Sequence, residues 1–195
     1  MARPRVIKQD DILDAAEAVV VRCGAAHLTL DAVAVEAGIS KASVIYDYKT
    51  KQQLIKAVME RRLAAQEERV RQETEALGDV PSAPIRAMIA IVSDTSPDET
   101  RAVAANLGAA LAQDNELRGV LEAFFRRTIN TVMETSQSPR GALLAFLAFE
   151  GMRHLEWHNL YSWPEPERER IFREIGWLVD SKPLSGEATG ASDAP

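Results

Sequence analysis

The chain has 195 residues, 46% of them apolar, and a formal net charge of −6, which is ample apolar material for a packed core. Its single cysteine, Cys23, excludes an internal disulfide and a CxxC zinc site. No secretory signal is visible at the N-terminus, and the most apolar segment, Ala142 to Phe149, is too short to span a bilayer.

A soluble, cytoplasmic protein with no membrane partner is therefore expected. The helical spacing of Cys23 behind Ile12, Ala16 and Val19 assigns it to the core rather than to redox chemistry. The net charge is unevenly divided. Residues 1–60 hold eight basic and eight acidic side chains, so 61–195 carry the whole −6. Arg3, Arg5 and Lys8 precede any acid, and Lys41, Lys49, Lys51 and Lys56 cluster further on. Local basic patches decide contact with phosphate, so this division permits nucleic-acid binding.

Helical periodicity dominates from end to end. A first helix through Ile12 and Val19 stops at Gly24, where glycine suits a helix C-terminus. Thr29 caps a short second helix with Leu30, Val33, Ala34 and Ala37 on its apolar face, and Gly38 ends it. Ser40 caps a third short helix. Thr50-Lys51-Gln52-Gln53 reads as a capping box that opens a long helix to about Leu77. Gly78, Pro81 and Pro84 break the pattern and mark a boundary.

Beyond it the spacing predicts a helix over Ile85–Val92, another through Leu107 and Leu111, and a third capped by Asp114 through Leu117, Phe124 and Val132. Ser138-Pro139 starts a very apolar helix to about His158. A turn at Trp163–Pro166 precedes a last helix with Ile171, Ile175, Leu178 and Val179. The fold class is all-α, with about nine helices. The predicted organisation is a helix-turn-helix domain over 1–52 with a connecting helix over 50–77, a second domain over 80–180, and a disordered tail over 181–195, whose Gly/Ser/Ala/Pro composition cannot offset chain entropy.

The informative stretch runs from Thr29 to Lys51. Two short helices meeting at Gly38-Ile39-Ser40 have the layout of a helix-turn-helix, in which glycine takes the sharp turn and Ile39 plugs the angle. Here the chain resembles the tetracycline-repressor-like (TetR) family of bacterial transcriptional regulators. The resemblance runs without gaps from about Ile7 to Val58. It includes Ile12-Leu13-Asp14-Ala15-Ala16, Gly24, Leu28-Thr29, Ala37-Gly38-Ile39-Ser40-Lys41, and Thr50-Lys51 with Leu54 behind. It implies that Lys41, Ala42, Ser43 and Tyr46 meet base edges, and that Thr29, Ser40, Ser43 and Lys51 cap helices or contact phosphate. Two positions depart from the family pattern. Ile45 stands where the family carries tyrosine, with the aromatic next door at Tyr46, and Asp47 stands where it carries histidine. Tyr48 fills a core phenylalanine position, and Ala42 replaces a glycine.

The second half carries no specific motif. Glu150, His154 and His158 form one column on a helix, but no second His/Cys cluster completes a metal set, so they are read as surface or seam residues. No metal, cofactor or catalytic group is expected. Met88, Ile91, Leu107, Leu111, Phe125, Ile129, Phe149, Met152, Arg153 and Trp157 have the chemistry of a pocket for a small apolar effector. The small residues around Gly141, Ala145, Ala148 and Gly151, with Phe146, Ile171, Ile175 and Leu178, make the expected dimer seam. The function so indicated is a ligand-responsive repressor that binds a palindromic DNA operator as a homodimer. The alternative is a helical scaffold or binding module that keeps the fold without operator recognition, with Ile45 and Asp47 in its favour. An enzyme is not indicated, because no phosphate loop or nucleophile–base pairing is present.

Overall fold

The computed structural model describes residues 8–24, 27–93 and 114–183. All regular structure among them is helical: α1 (Gln9–Cys23), α2 (Leu30–Ala37), α3 (Lys41–Asp47), α4 (Lys51–Leu77), α5 (Ala83–Ser93), α6 (Asn115–Glu134), α7 (Pro139–Trp157) and α8 (Glu165–Leu178). The helix predicted through Leu107 and Leu111 lies outside the described residues, as do Arg3, Arg5 and 184–195 of the expected tail. No described helix is long and apolar enough to cross a membrane.

The chain divides into two compact units whose membership does not follow chain order. The first takes the described residues of Met1–Arg69, Thr95–Arg126 and His154–Ser162, and the second those of Val70–Asp94, Arg127–Arg153 and Trp163–Pro195. Helices α4, α6 and α7 therefore contribute to both units, and the Gly78–Pro84 break falls inside the second.

In the first unit the expected apolar faces converge on one core. Ile12, Ala16 and Val19 of α1, Val33 and Ala34 of α2, Val44 of α3 and Leu54 and Val58 of α4 are all buried there, joined by Leu117 of α6. Cys23 is a correction: it is exposed. Helical spacing identifies a face but not where the neighbouring structure stops, and Cys23 is the last residue of α1. Polar side chains tie α1 to α4 at the rim of this core. Arg61 donates from Nη2 to Glu17 Oε1 at 2.6 Å, and from Nη1 to Asp14 Oδ1 at 2.7 Å. Burial disfavours the Arg61 charge, but the bonds to Glu17 and Asp14 outweigh it and hold the guanidinium above its ordinary pKa.

The second unit buries Ile85, Ala87 and Ile89 of α5, Ala142, Ala145, Phe146, Phe149 and Met152 of α7, and Phe172 and Ile175 of α8. Arg168 of α8 is buried with its guanidinium 4.8 Å from the centre of the Phe172 ring. It donates to the carbonyls of Ser93 at 3.0 Å and Val92 at 2.9 Å, in the last described turn of α5. The start of α7 meets the end of α8 even more closely. Ser138 donates to the Ser181 carbonyl at 2.5 Å, and a Cβ built on Gly141 would overlap that oxygen and lie 2.6 Å from the Leu178 carbonyl.

Gly141→Ala is therefore predicted to destabilise the protein by about 1–3 kcal/mol, although helix propensity alone favours alanine over glycine by about 1 kcal/mol. Equilibrium denaturation of the two proteins checks the sign; a more stable alanine variant contradicts the close approach.

Candidate nucleic-acid interface

The candidate interface is built from α2, the turn after it, and α3. Thr29 has extended backbone angles and its Oγ1 accepts from the Ala32 amide at 3.0 Å, which satisfies one free amide of α2. At the other end Gly38 adopts φ 64° and ψ 36°, in the left-handed region. Its amide donates to the Val35 carbonyl at 3.2 Å, while the Ile39 amide reaches back to Ala34 at 3.0 Å. These paired bonds close α2 and turn the chain sharply, as a left-handed glycine allows. Ile39 then packs against the core and Ser40 caps α3, its Oγ accepting from the Ser43 amide at 3.1 Å. The expected caps and turn are all present.

Within α3, Val44 is buried and anchors the helix. Tyr48 is buried just beyond, and this burial, more than the neighbouring Asp47, raises its hydroxyl pKa. Tyr46 faces the opposite way and is 86% exposed, and Ile45 is 39% exposed. Lys41 and Ala42 are exposed too. The polar groups of α3 have partners close at hand. Lys41 Nζ lies 2.8 Å from Asp31 Oδ2, and the Ser43 hydroxyl lies 2.8 Å from that of Ser40. Asp47 is half-buried and accepts from Gln9 Nε2 of α1 at 3.3 Å. Thr50 caps α4 through the Gln53 amide at 3.1 Å, and Gln53 Oε1 accepts from the Lys49 amide, one residue earlier than the expected capping box. Lys51 is half-buried in the first turn of α4.

The structure thus brings Thr29, Ser40, Lys41, Ala42, Ser43 and Tyr46 onto one pair of short helices, with Lys51 opening the next. Sequence reasoning did not foresee the partners Asp31 and Gln9. The Gln9–Asp47 contact joins residues 38 positions apart, so no local spacing signals it.

The residues proposed for an effector fall in both units. Met88, Ile91 and Ile129 are half-buried in the second, where Phe149, Met152 and Arg153 are buried. Phe125 and Trp157 are half-buried in the first, and Leu107 and Leu111 lie outside the described residues. Arg153 lies 5.3 Å from the Phe149 ring centre and donates to Glu150 Oε2 at 2.9 Å; burial lowers its pKa. Among the described residues no group of three or more His, Cys, Asp or Glu side chains could hold a metal ion. Of the residues proposed for a dimer seam, Ala145, Phe146 and Ile175 are buried in the single chain, Ile171 and Leu178 are half-buried, and Ala148 is exposed.

Because no atom lies within 4 Å of a Cβ built on Gly38, substitution there has a purely conformational cost. Gly38→Ala is predicted to destabilise by about 1–2 kcal/mol, and Gly38→Asn by less, since asparagine tolerates the left-handed region. Denaturant midpoints of the two variants test this order; equal stability of all three proteins contradicts it.

Two family profiles match the chain, one after the other along the sequence. The profile of the bacterial regulatory proteins of the tetR family matches residues 12–58, and the tetracyclin repressor-like C-terminal domain matches 82–180. Among solved structures, the multidrug binding protein EbrR complexed with malachite green is 20% identical with a TM-score of 0.68, covering 90% of this chain and 98% of its own. A transcriptional regulator from Rhodococcus sp. Rha1 is 16% identical with a TM-score of 0.68, over 87% and 95% of the two chains. A TetR-like transcriptional regulator from Rhodococcus sp. RHA1 is 18% identical with a TM-score of 0.62, over 91% and 96%. No curated protein matches the chain.

Proposed function

Because this chain belongs to the tetR family of bacterial regulatory proteins, which are transcription factors and not enzymes, we propose that it is a ligand-responsive repressor that binds a palindromic operator as a homodimer. The observation that carries this reading is the α2–α3 geometry: two capped helices joined by a left-handed glycine, with Tyr46 projecting 86% exposed from the second. In this reading α3 lies in the major groove with Lys41, Ala42, Ser43 and Tyr46 at base edges. Lys51, Thr29 and Ser40 serve the flanking backbone.

Dimerisation follows from the size of the site, since one seven-residue helix contacts too few base pairs to single out an operator among genomic competitors. The proposed seam is the outer face of α7, where Leu147 is 55% exposed beside exposed Ala148 and Gly151, together with Trp177 of α8, 71% exposed. Ala145, Phe146 and Ile175 support that face from inside the unit, with Ile171 and Leu178 at its margin. Two copies so paired would present half-sites about 34–36 Å apart. The proposed effector is small and apolar, held by residues such as Phe149 and Met152 with Arg153 as a polar handle. A relative in fold that is a multidrug binding protein complexed with malachite green supports a small-molecule effector. Effector binding would change the spacing of the recognition helices and so lower operator affinity.

Selection of bound sequences from random duplex DNA at fixed salt, with and without candidate effectors, tests the whole reading. Lys51→Ala should weaken binding to every sequence and lower the salt slope by about one unit. Tyr46→Ala should change preference at particular base pairs; an equal loss on all sequences contradicts base readout. Ala148→Glu would bury an unpaired charge in the seam and should yield a helical monomer without operator binding. A wild-type monomer at micromolar concentration in sedimentation, still binding a palindrome tightly, overturns the dimer.

A further inference from the structure

We propose that α3 selects its operator chiefly through the C5-methyl groups of thymine, an inference that rests on the DNA-binding reading above. Of the seven residues of α3, Val44 belongs to the core. Ser43 shares its hydroxyl with Ser40, Asp47 accepts from Gln9, and Lys41 faces Asp31. Besides Lys41, what stands outward is Ala42, Ile45 and Tyr46, spaced i, i+3 and i+4, which places them on one stripe of the helix.

The chemistry of that stripe restricts what it can read. In the major groove guanine is read best by a bidentate arginine or lysine, and adenine by asparagine or glutamine. No arginine, asparagine or glutamine occurs in α3. Its one lysine must leave Asp31 to reach a base, so its net gain from a guanine edge is reduced. An alanine methyl and an isoleucine side chain recognise only one feature of the major groove, the thymine methyl. Tyr46 adds an apolar ring to the same stripe, with a single hydroxyl at its end. The operator half-site should therefore carry fixed thymines at the steps that face Ala42, Ile45 and Tyr46.

Deoxyuridine tests this directly, since it pairs as thymine does and lacks only the methyl group. In the duplex recovered by selection, each thymine of the half-site is replaced in turn and affinity is measured at constant salt. Loss of one buried methyl should weaken wild-type binding about fourfold. The same replacement should cost the Ile45→Ala protein less at the thymine facing residue 45, and the Tyr46→Ala protein less at the one facing residue 46, because side chain and methyl are coupled. Both side chains are exposed, so neither variant disturbs the core, and circular dichroism verifies the fold. A selected site whose thymines all accept uracil without loss overturns this inference and leaves operator binding intact. It is overturned equally if both variants lose as much as wild type at every position, since uracil then acts through duplex shape. A protein that enriches no sequence defeats the DNA-binding reading itself, and the inference falls with it.

Discussion

Two backbone hydrogen bonds set the direction in which α3 leaves α2: Gly38 to Val35, and Ile39 to Ala34. They form because Gly38 takes a left-handed conformation that L-residues enter at a cost. Once the turn is made, Ile39 and Val44 pack into the core while Tyr46 projects from it. A straight continuation of α2 would keep none of these relations. The proposed DNA-binding surface is thus a consequence of how one residue bends the chain.

Charge acts at short range in the same region. The acidic total of the chain says little about α2 and α3, where Lys41 is held beside Asp31 and Asp47 beside Gln9. Exposed pairs of this kind contribute little stability. The half-buried bond of Arg61 to Glu17 differs, because partial burial strengthens it, and with the exposed bond to Asp14 it ties α1 to the long helix that carries Lys51 at its start.

In the second unit steric fit has the corresponding role. Gly141 is present because the carbonyls of Leu178 and Ser181 leave no room for a side chain. Gly151, ten residues further along the same helix, meets nothing within 4 Å. Two glycines with one appearance in the sequence therefore serve different ends, one admitting the end of α8 and the other leaving an open face beside Leu147 and Ala148.

The order and approximate extent of the described helices could be read from sequence because caps, glycines and a 3.6-residue period are local properties of the chain. Thr29, Ser40, Thr50 and Asp114 each cap the helix they were expected to cap. The family likeness of residues 12–58 is legible for the same reason, since its motif lies within one stretch of chain. Tertiary structure alone decided the rest. Cys23 continues the α1 period yet lies outside the core, and Ala145 and Phe146 are buried where a seam was expected, because a period gives a face but not what covers it. Nothing near Asp47 in the chain points to Gln9, nor anything near Arg61 to Asp14 and Glu17. Such pairs form between residues that only the packing of separate helices brings together, and their geometry decides which side chains remain to face a partner.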